Sequence, residues 1–201
     1  MSYWALVPVK ARTAGKQRLA AVLDEAARAR LVRAMLAHVL QVLHGCPQLS
    51  GIAVLTPDPQ ALPAGVVWLA DAAGDMNGAV QAGLTALAAR GARHAAVISA
   101  DLPRLRASEV QALLAAALED GVALASDRHG SGTNALALSL PARFRPQFGA
   151  GSLARHLAQA RELSLTATQI CLPGLQFDID EPEDLALLQQ QDGAYADFLP
   201  R

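Results

Sequence analysis

The chain has 201 residues and a formal net charge of −1, and it is 52% hydrophobic but only 17% charged. That length suits one domain with a core that folds without staples, and the apolar excess suits a sheet covered by helices on both faces. The near-zero charge excludes a global basic field for nucleic acid, and no apolar run approaches the ~20 residues that span a bilayer.

Residues 3–9 read as a first strand ending at Pro8-Val9. Lys10, Arg12, Lys16 and Arg18 then place four cations in nine positions, with no acidic residue before Asp24. An unpaired basic loop after the first strand of an α/β sheet is well placed for a polyphosphate. A helix over 24–43 carries Leu31, Met35, Val39 and Val42 (or Leu43) as its apolar stripe, and Gly45 and Pro47 stop it. His38 and His44 have no partners at metal-ligand spacing and read as surface or packing residues. Strands at 52–56 and 66–70 follow, separated by Pro57-Asp58-Pro59, Pro63 and Gly65.

Residues 71–78 form a polar, glycine-bearing loop leading into a helix through Leu87. Asn77 at its start serves either as a cap or as an amide that reads a base or ribose. The apolar run 95–99 then ends in a lone carboxylate, Asp101, and Pro103 stops the chain. A buried parallel strand that delivers one Asp at its carboxyl end puts it on the ligand edge of an open sheet. A helix over 108–119, capped by Ser108, precedes a strand at 122–125. This alternation predicts a mostly parallel sheet.

The second half is chemically richer. Residues 126–134 are a polar connection into a strand at 135–140. Phe148-Gly149-Ala150-Gly151-Ser152 then opens a helix over 152–162, where small residues leave backbone N–H groups open to an anion. After a strand at 165–172, Asp178 and Asp180 share one face if the segment is extended. Pro182 and its neighbouring acids make a good helix start, so Glu181, Glu183 and Asp184 need no functional account. Cys46 and Cys171 form neither a CxxC nor a zinc pattern and read as buried free thiols. Met1-Ser2-Tyr3-Trp4 leads into a strand without a leader pattern, so the chain reads as soluble and cytoplasmic.

A basic loop, a single Asp and a small-residue nest thus converge on one predicted sheet edge. No Ser/His/Asp triad is legible. Gly15-Lys16 is followed by Gln17, which breaks the phosphate-loop pattern, and GxGxxG is absent. What fits is nucleotidyl transfer, in which cations hold a triphosphate and a carboxylate-bound Mg²⁺ neutralises charge at the α-phosphate. Such chemistry is mostly positioning and electrostatics, and it needs no general base if the acceptor is an ionised phosphate.

Five motifs occur in order: Val7-Pro8-Val9-Lys10 with Lys16-Gln17-Arg18-Leu19; Ala100-Asp101-Leu102-Pro103; Asp127-Arg128 with Gly132-Thr133-Asn134-Ala135-Leu136; Phe148-Gly149 with Gly151-Ser152; and Phe177-Asp178-Ile179-Asp180 with Pro182-Glu183-Asp184-Leu185. Together they resemble the 2-phospho-L-lactate guanylyltransferase family, which also contains phosphoenolpyruvate and 3-phosphoglycerate guanylyltransferases, over nearly the whole chain. The resemblance implies a three-layer α/β fold of the nucleotide-diphospho-sugar transferase type, mostly parallel, with 1–201 as a single domain. It also implies GTP as donor, Mg²⁺, and a place in the biosynthesis of coenzyme F-420.

Carried over by position, the resemblance gives Lys10, Lys16 and Arg18 to the GTP phosphates, Lys16 acting in catalysis with Asp101. Asn77 would bind the nucleoside. Asp101 would carry Mg²⁺, with Asp180 a second ligand, and Thr133, Gly149 and Ser152 would cradle the three-carbon phospho-acid. Asp75 departs from the family pattern by adding negative charge near the nucleotide, and Ser131 replaces a usual Thr. The alternatives are a molybdopterin or sugar-phosphate nucleotidyltransferase, which would open on a glycine-rich LxGGxGxRL, or a catalytically silent nucleotide-binding domain. The expected partners are GTP and the small acid, with neither nucleic acid nor membrane, and an exposed sheet edge offers a surface for a homodimer.

Overall fold

The computed structural model describes residues 2–9, 16–59, 62–71, 75–191 and 195. Strands β1 (Tyr3–Pro8), β2 (Leu49–Thr56), β3 (Val66–Ala70) and β4 (His94–Ile98) run parallel. Beside them β6 (Thr133–Ser139) lies antiparallel between β4 and β5 (Gly121–Ser126), and β7 (Thr166–Ile170) pairs parallel with β5. The order across the sheet is β3-β2-β1-β4-β6-β5-β7. The mostly parallel sheet is as expected, and β6 is reversed because the short connection from β5 leaves no room for a crossover.

Alternation along the strands builds the layers. Ala5 and Val7 face Val39, Leu40 and Leu43 of α1 (Glu25–His44) and Val110 and Leu113 of α3 (Ala107–Asp120). Leu6, between them, faces Val80, Leu84 and Leu87 of α2 (Met76–Ala89), on the side that also buries Leu153 of α4 (Ser152–Glu162). Successive residues of a strand point to opposite faces, so each apolar strand serves two cores. Among the described residues, no helix is long and apolar enough to cross a membrane.

A smaller cluster matters more for function. Leu19, from a 3-10 turn at Gln17–Ala21, packs with Leu31 and Met35 of α1. Phe177 and Ile179 join them, as do Leu185 and Leu188 of α6 (Pro182–Gln191). Burying Leu19 and Ile179 together brings their polar sequence neighbours, Lys16 and Asp180, to one place.

Three local expectations are corrected. Asp75, not Asn77, caps α2, its carboxylate accepting from the N–H groups of Asn77 and Gly78 at 3.0 Å each. Asp75 therefore has a structural use, since a carboxylate at a helix N-terminus satisfies orphan donors. Ser108 lies inside the first turn of α3; the N-cap is Arg106, whose N–H donates to the Glu109 carboxylate at 3.0 Å. Cys46 is buried as expected but Cys171, which follows the end of edge strand β7, is exposed.

The same Glu109 carboxylate accepts from the N–H of Gly174, the second residue of the short helix α5 (Pro173–Gln176), at 2.8 Å. A methyl group at Gly174 would overlap both Glu109 and the Arg104 carbonyl. Since backbone cannot yield cheaply, Gly174→Ala is expected to cost about 3 kcal/mol. The urea midpoint measures this, and an unchanged midpoint would show that α5 can shift.

Candidate active site

Among the described residues, the ends of β1 and β4 and the start of β6 lie on one edge. Ile98 pairs with Ala135 across the antiparallel β4–β6 ladder, so the start of β6 sits where β4 ends. The Ser99 N–H continues that ladder by donating to the Asn134 carbonyl at 2.9 Å. Because β1 and β4 are parallel, the chain leaving β1 departs from this edge too.

Lys16 stands at the centre of the edge. Its side chain is only 9% exposed, and its ammonium pairs with Asp101 and, at 2.8 Å, with Asp180 Oδ1. Burial works against the ammonium, but the Asp101 and Asp180 carboxylates outweigh it and raise the Lys16 pKa. Its backbone has φ 56°, a left-handed conformation that costs a branched-free lysine roughly 1 kcal/mol. The Lys16 carbonyl accepts from the Leu19 N–H at 3.0 Å, so the buried Leu19 turn holds that conformation.

Asp178 faces the same group from the buried side. Burial, reinforced by Asp101, pushes its carboxyl up to about 6 against an opposing hydrogen bond from Asn134 Nδ2 at 3.1 Å. Asp180 is held differently. The Asp184 carboxylate accepts from the N–H groups of Asp180 and Glu181 at 2.8 and 2.7 Å and also pairs with Arg128. Asp184, expected only to start a helix, thus ties the 126–134 connection to the segment carrying Asp180. Arg18 pairs with Glu181 at 2.9 Å, but both are well exposed, so the pair is worth under about 1 kcal/mol. Lys10 lies outside the described residues.

The remaining expected residues form a second group. Thr133 Oγ1 lies 3.0 Å from His156 Nδ1 and 3.1 Å from Ser152 Oγ, and all three side chains are buried. Asn77 Nδ2 donates to the Phe148 carbonyl at 3.2 Å, and its Oδ1 accepts from the Phe148 N–H at 2.7 Å. One N–H and one lone pair of that amide remain for other partners. Gly149 adopts φ 114°, which side-chain-bearing residues rarely reach, so the loop needs glycine there. Arg155 wraps the same loop, donating to the Ala150 and Gln147 carbonyls at 2.6 and 2.9 Å.

The open anion nest expected at the start of α4 is corrected. The Ser152 N–H donates to the Gly149 carbonyl at 3.0 Å and the Leu153 N–H to the Ser131 carbonyl at 3.1 Å. Protein carbonyls have filled two of the sites that an anion would use. The two groups meet through β6, where Thr133 turns to Ser152 and His156 while the next residue, Asn134, turns to Asp178.

Sequence inspection passed over His156, although the i, i+4 spacing from Ser152 puts both on one helix face. Burial, with Arg155 adding charge repulsion, lowers the His156 pKa to about 4. A histidine held neutral in the fold gives stability present above its unfolded pKa near 6.5 and lost as pH falls toward 4. The full loss is of order 3 kcal/mol. Chemical denaturation at pH 7.5 and 4.5 should show this loss in wild type and a clearly smaller one in His156→Gln. Equal losses in both would assign the acid sensitivity elsewhere.

The carboxyl edge of this α/β sheet thus sets a lysine between two carboxylates, an arrangement suited to holding a polyphosphate and a divalent cation. A structure provisionally assigned as a nucleotide-diphospho-sugar transferase, from Desulfovibrio desulfuricans, superposes with a TM-score of 0.77 at 17% identity, covering 98% of this chain and 94% of its own. The family model described as "Guanylyl transferase CofC like" matches residues 3–199. A phosphoenolpyruvate guanylyltransferase from Sphaerobacter thermophilus is 42% identical over 189 residues, 92% of this chain and 91% of that protein. A 3-phospho-D-glycerate guanylyltransferase from Phenylobacterium zucineum is 37% identical over 190 residues, 90% of this chain and 86% of that protein. The chain belongs to the CofC-like guanylyltransferase family, and it is an enzyme of nucleotidyl transfer.

Proposed function

We propose that the chain, acting as one domain, transfers GMP from GTP to the phosphate of a three-carbon phospho-acid and releases pyrophosphate. The acid is phosphoenolpyruvate, 2-phospholactate or 3-phosphoglycerate, and the capped product feeds the biosynthesis of coenzyme F-420 in the cytoplasm. The observation that carries this reading is the Lys16 ammonium held by Asp101 and Asp180 on the ligand edge.

An acceptor phosphate oxygen attacks the α-phosphorus in line. A P–O–P bond forms between GMP and the acid as the bond from the α-phosphorus to the β-phosphate oxygen breaks. The electron pair leaves with pyrophosphate, and because the attacking oxygen is already ionised no side chain has to take a proton. Lys16, with Lys10 and Arg18, holds the triphosphate and balances charge on the leaving group. Asn77 offers its remaining N–H to the nucleoside, and Thr133 and Gly149 form the acid's side of the site, with buried Ser152 supporting it from directly behind Thr133.

The donor set suits Mg²⁺. Among the described residues no cluster of three or more acidic, His or Cys side chains forms a self-contained metal cage. Asp101 and Asp180 are two hard oxygen donors already sharing one cation, and Mg²⁺ characteristically takes one or two carboxylates together with substrate phosphates. When bound there it would supply charge neutralisation at the α-phosphate.

Pyrophosphate release tests the reading. Protein, GTP and Mg²⁺ should release it only when one of the three acids is added, and CTP or ATP should substitute poorly. No release with any acceptor from folded protein would leave a nucleotide-binding domain without catalysis.

A further inference from the structure

Four hydrogen-bonding groups behind the start of β6 lie in a row whose direction can be deduced. The Gln147 backbone N–H points at His156 Nε2, 2.8 Å away. A backbone N–H can only donate, so Nε2 must carry the lone pair, and in a neutral imidazole the proton then sits on Nδ1. Nδ1 lies 3.0 Å from Thr133 Oγ1, and it therefore donates to it. The Ser152 hydroxyl also donates to Thr133 Oγ1, at 3.1 Å. Ser152 is completely buried, and among the described residues no other acceptor for its proton is found.

Thr133 Oγ1 thus accepts two hydrogen bonds, which uses both of its lone pairs. The Phe144 and Phe148 rings lie 5.5 and 5.3 Å from the imidazole and close it off from water that could exchange these roles. The Thr133 hydroxyl is left with its own proton and no lone pair, at the start of β6 on the sheet edge proposed to hold the acid.

We infer that His156 is a positioning residue that turns the Thr133 hydroxyl into an obligate donor, so that this part of the site takes an accepting oxygen, held most tightly as an oxyanion of the phospho-acid, and disfavours a group that can only donate. The inference rests on the acceptor side of the function proposed above. His156 touches neither substrate; it acts through Thr133. The α4 helix supplies the geometry, because its i, i+4 spacing carries Ser152 and His156 to the same hydroxyl.

Two substitutions separate the two ends of the imidazole. His156→Asn keeps an amide N–H near the position of Nδ1 and loses the acceptor for Gln147. His156→Gln reaches the Nε2 position, keeps that acceptor and loses the donor to Thr133. A single hydrogen bond to a charged group is worth about tenfold or more in binding. His156→Gln and Thr133→Val are each expected to raise the KM for the acid about tenfold with the KM for GTP unchanged, while His156→Asn stays within about threefold of wild type. Nitrogen-15 correlation spectra of the histidine-labelled wild-type protein read the tautomer directly and should find the proton on Nδ1. A proton on Nε2, or equal losses in the Asn and Gln variants, overturns the inference. If the proton is on Nδ1 but Thr133→Val leaves the acid KM unchanged, the hydrogen-bond row exists and the acceptor assignment is what has failed.

Discussion

Replacing Asp101 by Asn is expected to lower kcat about a thousandfold while leaving the thermal midpoint nearly unchanged. Asp101 sits just beyond β4, three residues past Ile98, and its side chain is 26% exposed, so it contributes little to the core. The charge it presents is another matter. It is one of the two carboxylates that hold the Lys16 ammonium, and it is the first candidate to hold Mg²⁺. The asparagine keeps the shape and removes the charge, so the loss falls on transition-state stabilisation, where a single well-placed group is worth about 10²–10³ in rate. Steady-state turnover with saturating GTP and acid gives the answer. Wild-type-like turnover would take Asp101 out of the chemistry.

Lys16→Ala is expected to act mainly on the nucleotide. Removing the ammonium leaves Asp101, Asp178 and Asp180 close together with no counter-charge from this residue. A triphosphate would then approach uncompensated negative charge, and kcat/KM for GTP should fall about 10²-fold or more, well beyond any change in the KM for the acid. Stability should drop less, by about 1–2 kcal/mol, because water reaches Asp180 and part of Asp101 once the lysine is gone. An unchanged dependence on GTP concentration would exclude Lys16 as a phosphate clamp.

The layers of the fold were legible because apolar strands and amphipathic helices write their periods into the chain, as Ala5-Leu6-Val7 and Leu31-Met35-Val39 do. The reversal of β6 was written in the short connection after β5, which has no room for a parallel crossover, and not in its apolar run, which reads the same in either direction. The carboxylate group was half legible. Asp101 and Asp180 stood out after or beside apolar runs, and their approach to Lys16 depends on Leu19 and Ile179 meeting in one satellite core, a tertiary event that no local pattern encodes. Asn77 and Ser152 are visible in the sequence only as candidates, and their hydrogen bonds to Phe148 and Thr133 depend on loops folding back. His156 was overlooked because a lone histidine in a helix gives no signal until its burial and two partners are known.

The most direct test of guanylyl transfer at this edge follows the phosphates of GTP separately. GTP labelled at the α-phosphate and GTP labelled at the γ-phosphate are each incubated with the protein, Mg²⁺ and phosphoenolpyruvate, 2-phospholactate or 3-phosphoglycerate. The α-label should move into an acid-linked guanosine diphosphate product and the γ-label into pyrophosphate, in equal amounts and only when an acid is present. Label released as inorganic phosphate, or an α-label that never leaves the nucleotide pool with any of the acids, would contradict the account.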